Sequence, residues 1–251
     1  MVSPGRMIMR VKFFVMISNR AGLRRHRLCY NGRSPQKSQR KKAMNPVKYP
    51  STPHLSFSPG VQRDDSILKN VDHFIGREVV VSVKKDGEAA SLYPDLFHAR
   101  SLDGRHHSSR DWVAAFRARI AHHIPEGWRI CGENLYARHS IAYDSLPSYF
   151  LGFSIWSQDN VALSWDDTVA MFQTIGVEPV EVIWRGVFDE AALKKIGREW
   201  NCSAEEGFVV RLADAFKYED FDKSVAKWVR ANHVQTNKHW MTQRIVPNGL
   251  A

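Results

Sequence analysis

The sequence predicts an α+β fold built mainly of antiparallel sheets. Three observations carry this expectation. Most apolar segments are short, β-branched runs bounded by charge or turn residues; helical spacing is confined to three stretches; and strands and helices do not alternate in the regular order of a parallel sheet. In chain order, Glu78–Val83 (EVVVSV) reads as a buried strand running into Lys84-Lys85-Asp86-Gly87. Ala89–Tyr93 and Leu96–Leu102 read as short strands about a Pro94-Asp95 turn. Ser109 is placed to cap a helix in which Trp112, Val113, Phe116 and Ile120 share one face, ending near Pro125-Glu126-Gly127. Trp128–Tyr136 and Tyr149–Trp156 are again strand-like. Ser164 and Asp167 have capping-box spacing at the start of a helix that ends at Gly176, and Asp189–Trp200 forms another helix. Gly207–Leu212 and Ser224–Val229 close the pattern as strands.

Charge divides the chain. Of 36 Lys+Arg residues, twelve lie in residues 1–43, which hold no acidic residue, so the formal net charge of +10 belongs to a basic tail and residues 44–251 are close to neutral. The tail lacks periodicity and reads as a disordered arm that follows phosphate backbone, an organellar presequence, or a leader upstream of a true start at Met44. A Pro/Ser-rich stretch (Tyr49–Gly60) separates it from residues 78 onward. The apolar run Phe13–Ile17 is far short of the roughly 20 residues of a membrane span, so no membrane partner is expected. Cys29, Cys131 and Cys202 form neither a disulfide framework nor a zinc ribbon, which fits a reducing cytoplasm. The pairs His106-His107 and His122-His123 make poor chelates, and no HExxH is present.

The first candidate for chemistry is Lys84, where a buried strand gives way to a turn. A lysine amine is a nucleophile only when neutral, and burial or a second cation such as Lys85 would favour that form; Lys85 equally well faces the opposite side of the strand. Four further segments follow in order: Cys131-Gly132-Glu133-Asn134-Leu135-Tyr136-Ala137, with an acid in a half-apolar strand; Tyr149–Trp156 (YFLGFSIW), whose Phe153 follows Glu133 by 20 residues; Glu205–Arg211 (EEGFVVR); and Ser224–Arg230 (SVAKWVR). Each alone is explained by an edge-strand acid, core aromatics, a turn or a solvated lysine.

In this order the segments resemble the motifs of the ATP-dependent RNA ligases, within the covalent nucleotidyltransferase superfamily, and in particular the branch that seals nicks in duplex RNA. The resemblance covers most of Val80–Trp240. It implies an adenylation domain with mainly antiparallel sheets flanking an ATP pocket, occupying residues 44–251 without an accessory domain. It implies an ATP-dependent RNA ligase that joins a 3′-hydroxyl to a 5′-phosphate through lysyl-AMP and an adenylated RNA end. By the same resemblance Lys84 is the nucleophile and Arg100, 16 residues later, binds phosphate. Glu133 accepts from the ribose hydroxyls and Phe153 stacks on adenine. Glu206 holds magnesium, or manganese in its place, and Lys227 touches the α-phosphate. RNA ends are the implied partner, gripped by the basic tail or by the segments Asp103–Asp111 (DGRHHSSRD) and His233–Trp240 (HVQTNKHW).

The chain also departs from the family pattern. Val83 stands where a glutamate usually precedes the lysine, Ala89 where an asparagine follows, and Val229 at the spacing of a second lysine after Lys227, with Arg230 the nearest further cation. These departures keep two alternatives open: a catalytically weakened RNA-end-binding protein of the same fold, or an adenylating enzyme with a DNA acceptor.

Overall fold

Strand β1 (Glu78–Lys84) is apolar on both faces, and Val79, Val80 and Val81 are all fully buried. A strand of that kind belongs in the middle of a sheet, with both faces covered. A computed structural model describes residues 45–102, 106–231 and 244–251 and places β1 in this central position. After it come β2 (Glu88–Leu92), β3 (Phe97–Ala99), α1 (Asp111–Ile120), β4 (Arg129–Asn134), β5 (Phe150–Trp156) and β6 (Val161–Ala162). The chain continues through α2 (Trp165–Ile175), β7 (Glu178–Pro179), β8 (Val182–Val187), α3 (Glu190–Arg198), β9 (Gly207–Leu212), β10 (Phe216–Lys217) and β11 (Val225–Val229). The basic residues 1–43, part of the segment 103–111 and all of 233–240 lie outside the described residues.

Two sheets result. One runs β11-β9-β1-β8 with every pair antiparallel; the other runs β10-β6-β5-β4-β2-β3, also antiparallel, with β7 added parallel to β5. This is the α+β, mainly antiparallel class that the sequence predicts. Period-two alternation decides what each sheet presents. Along β9, Phe208, Val210 and Leu212 join a core with Val79, Val81 and Leu193 of α3, whereas Val209 and Arg211 line a cavity. In the second sheet Ala90, Leu92, Ile130, Phe150 and Ile155 pack against Val113, Phe116 and Ile120 of α1 and against Phe172 and Ile175 of α2. Ala89, Glu133 and Ser154 line the same cavity from that sheet.

Local structure departs from expectation in several places, the short strands β6, β7 and β10 among them. Ser109 does not cap α1: His107 Nδ1 accepts from the Ser109 backbone N–H ahead of a 3-10 turn at Ser108–Arg110, and Arg110 precedes α1 without a side-chain cap. At α2, Ser164 does cap, accepting from Asp167 N at 3.1 Å, but its hydroxyl donates to Asp167 Oδ2 at 2.7 Å. The aspartate is too short to reach back to the Ser164 backbone as a glutamate would. The strand expected at Leu96–Leu102 is only the three residues of β3. No strand is expected at Val182–Val187, yet β8 forms there as the exposed edge partner of β1, where Arg185 and Gly186 interrupt the apolar alternation.

Gly132, beside Glu133 on β4, is required by close approach. A Cβ there would stand 2.4 Å from Phe150 Cζ and 2.5 Å from the Leu151 carbonyl oxygen, so the β4–β5 pair would have to move apart. Gly132→Ala is therefore expected to destabilise the protein by about 1–3 kcal/mol. A denaturant melt reads this directly, and an unchanged midpoint would contradict the packing described.

Candidate active site

Lys84 ends β1 opposite Gly207, the first residue of β9, and so meets Glu206, which immediately precedes that strand. Its Nζ donates to Glu206 Oε2 at 2.5 Å. Burial favours the neutral amine, but the carboxylates of Glu206, Glu133 and Asp86 overcome it and hold the Lys84 pKa above the ordinary lysine value. The lowered pKa expected from a neighbouring cation is therefore not what this arrangement gives. Lys85 is engaged by its own partners: its ammonium is bound to Glu205 and lies 4.8 Å from the Tyr143 ring centroid. The turn after the lysines is clamped as well, Tyr143 Oη accepting from Asp86 N at 2.9 Å and Asp86 Oδ2 accepting from Ile141 N at 2.8 Å.

The six residues singled out in the sequence, Lys84, Arg100, Glu133, Phe153, Glu206 and Lys227, all line one cavity of about 690 Å³ between the two sheets. Glu133 projects from β4, where its neighbours across the ladder are Ala89 and Leu151. Burial pushes its pKa up to about 8; Lys84 pulls it down, while Glu206, Asp86 and Glu88 push it further up. Phe153 is the extra residue of a bulge in β5, because Cys131 pairs with Ser154 and Gly132 with Gly152. Its ring meets Tyr49 edge-on with centroids 5.1 Å apart. Lys227 lies opposite Val209, and Arg100 is exposed at the cavity wall, where it donates to Ser51 Oγ.

Several contributors were not legible in the sequence. Tyr49 and Ser51 belong to the stretch read as a Pro/Ser-rich separator, but its residues 53–55 pair with β11: Lys227 N donates to Pro53 O and Leu55 N donates to Lys227 O. Asp65 Oδ1 accepts from Lys227 Nζ at 3.1 Å, and Asp65 Oδ2 lies 3.1 Å from His54 Nε2. Arg211 is buried in the cavity wall, where it donates to the carbonyls of Phe153 at 3.3 Å and Leu163 at 2.8 Å; burial lowers its pKa to about 10. Arg110 is held by Glu88 in a two-toothed ion pair facing the cavity. Arg211 and Arg110 alone carried a sequence signal, the first as the last residue of EEGFVVR and the second within the basic segment Asp103–Asp111.

The carboxylates also define what the site can hold. Among the described residues no group of three His, Cys, Asp or Glu side chains is arranged to enclose a metal ion. Glu206 with Glu133 nearby fits instead a hard divalent cation that takes most of its ligands from water and phosphate oxygens.

The RNA ligase family profile matches residues 77–229, a span that contains all six of these residues, and the chain belongs to that family. No curated protein matches it in sequence. In fold it is similar to an archaeal ATP-dependent RNA ligase: form 1 has 16% identity over 73% of this chain and 48% of that chain, with a TM-score of 0.52. Form 2 has 14% identity over the same 73% and 48%, with a TM-score of 0.51. A Naegleria gruberi RNA ligase solved with pyrophosphate matches at 17% identity over 78% of this chain and 61% of that chain, with a TM-score of 0.48. The chain thus spans about half the length of the archaeal enzyme. Among the described residues no helix is long and apolar enough to cross a membrane.

Raised carboxyl pKa values make stability depend on pH in a defined direction. An acid whose folded pKa lies above its unfolded value contributes stability that is complete below about pH 4.3 and is lost as pH rises through the folded value. For Glu133 that window closes near pH 8, and Asp86 and Glu205, also raised by burial, act in the same direction. His98 and His139, whose pKa values burial lowers, act in the opposite direction, so the Glu133 contribution is read as a difference: relative to Glu133→Gln, wild type should lose stability from pH 5 to 8. Denaturant melts across this range would show it, and a parallel profile for the variant would rule out the assignment.

Proposed function

We propose that the protein is an ATP-dependent RNA ligase whose adenylation domain occupies residues 44–251. The observation that carries this reading is the convergence of six side chains, spread from Lys84 to Lys227, on one cavity between two sheets.

In the proposed reaction the Lys84 amine attacks the α-phosphorus of ATP, forming an N–P bond as pyrophosphate leaves. The adenylyl group then passes to the 5′-phosphate of an RNA end. A 3′-hydroxyl attacks that activated phosphate, a phosphodiester forms and AMP departs. Glu206 is the residue that would hold magnesium or manganese, which when bound supplies positive charge beside the phosphates. Burial of the Lys84 amine favours the neutral nucleophile, and a cation held by Glu206 would add to this by offsetting the carboxylate charge around it. Lys227 stabilises charge developing on the α-phosphate, and Arg100 binds a phosphate at the cavity wall. Glu133 accepts from the ribose hydroxyls, which a neutral or ionised carboxyl can do, and Phe153 presents a flat apolar face to adenine. RNA ends are the proposed partner and the reducing cytoplasm the proposed compartment.

ATP labelled on its α-phosphate, incubated with magnesium and the full chain, should leave label covalently bound to wild type and none on Lys84→Ala. Folded wild type without label would falsify lysine adenylation and put the RNA-end-binding reading in front. Phe153→Ala should raise KM for ATP about fivefold with little change in kcat, as expected for loss of about 1 kcal/mol of stacking that is equal in ground and transition states. A fall in kcat with KM unchanged would place Phe153 elsewhere in the cycle.

A further inference from the structure

We infer that Asp65, braced by His54, is a positioning residue for Lys227, an inference that rests on the reading that Lys227 meets the α-phosphate. Lys227 lines the cavity, whereas Asp65 and His54 do not. The Lys227 side chain is only 17% exposed, and a cation so far out of water needs a partner; Asp65 Oδ1 at 3.1 Å is the carboxylate that supplies it among the described residues. Asp65 is itself fixed. Its Oδ2 accepts from Gln62 N at 3.1 Å and lies 3.1 Å from Nε2 of fully buried His54, whose Nδ1 is 2.8 Å from Ser58 Oγ. Ser58 Oγ in turn accepts from Val229 N at 2.9 Å, so the chain of contacts returns to β11 two residues beyond Lys227.

Burial raises the Asp65 pKa, but the Gln62 N–H and the Lys227 ammonium lower it more, leaving the carboxyl below its ordinary range. The result is a fixed anion behind a mobile four-carbon side chain, which limits where the ammonium can stand. Backbone bonds to Pro53 and Leu55 hold Lys227's main chain independently, so loss of the Asp65 charge should release the side chain without unpairing the strand.

Asp65→Asn keeps the size of the side chain and removes its charge. At saturating ATP it should form lysyl-AMP about tenfold more slowly than wild type, with KM for ATP changed less than about threefold and with Asp65→Glu recovering part of the rate. In a second measurement on ligand-free protein, acetylation of Lys227 by an amine-reactive reagent, read by peptide mass spectrometry, should increase in Asp65→Asn. An equal or faster rate of lysyl-AMP formation overturns the inference, because Asp65 would then be irrelevant to Lys227 or hold it back from the phosphate. Unchanged acetylation overturns it too. If wild type itself forms no lysyl-AMP, the ligase reading fails, while the acetylation result still decides whether Asp65 holds Lys227.

Discussion

A half-buried cation among carboxylates is held in pairs, and around Lys84 that pairing organises the site. Its ammonium is held by Glu206, which can reach it only because β1 and β9 are antiparallel neighbours in a register that sets Lys84 opposite Gly207. The same central strand β9 carries β11 on its other side, placing Lys227 opposite Val209. Three side chains separated by up to 143 residues of sequence are thus brought together by one three-strand ladder. Gly207 permits the approach: a Cβ there would stand 2.0 Å from the Trp228 carbonyl oxygen.

The second sheet contributes the complementary wall. Its helices α1 and α2 cover one face, leaving Ala89, Glu133 and Ser154 turned toward the first sheet. A bulge turns Phe153 into the cavity, and the Arg211 guanidinium, reaching across from β9, binds the Phe153 carbonyl. The two sheets are therefore joined at the proposed base-binding end by a buried arginine satisfied through backbone oxygens. The three departures from the family pattern fall close to this cavity. Val83 and Ala89 line it directly, and Val229 is buried beside the Ser58 and Gly60 contacts. Each removes a polar group from the family pattern, and the carboxylates and cations that remain are committed to pairs such as Lys85–Glu205, Arg110–Glu88 and Lys227–Asp65.

Such pairing explains why Lys84 has a raised pKa. Lys85 is neutralised by its own carboxylate, Glu205, and so does not act on Lys84 as a free neighbouring cation. Acid outweighs base immediately around Lys84, which suits the proposed pair of ligands, a nucleotide bound together with a divalent cation whose charge would offset the carboxylates.

By itself the sequence determined the fold class and, among the described residues, the three helices, seven of the eleven strands and the six cavity residues. These depend on information that is local or repeated: β-branched runs, helical spacing at Trp112, Val113, Phe116 and Ile120, and short motifs in a characteristic order. Strand β8 escaped because an exposed edge strand needs no apolar alternation, and its Arg185 is instead tied to Glu78 and Asp166. Tyr49, His54 and Asp65 escaped for a different reason. Nothing in a Pro/Ser-rich stretch or the residues just after it marks a partner more than 100 positions away, and only the tertiary structure, by laying residues 53–55 along β11, decides that Asp65, itself in contact with His54, will meet Lys227. The charge state of Lys84 likewise belongs to the fold, since it follows from which carboxylates the sheets bring within reach and not from the lysine beside it in sequence.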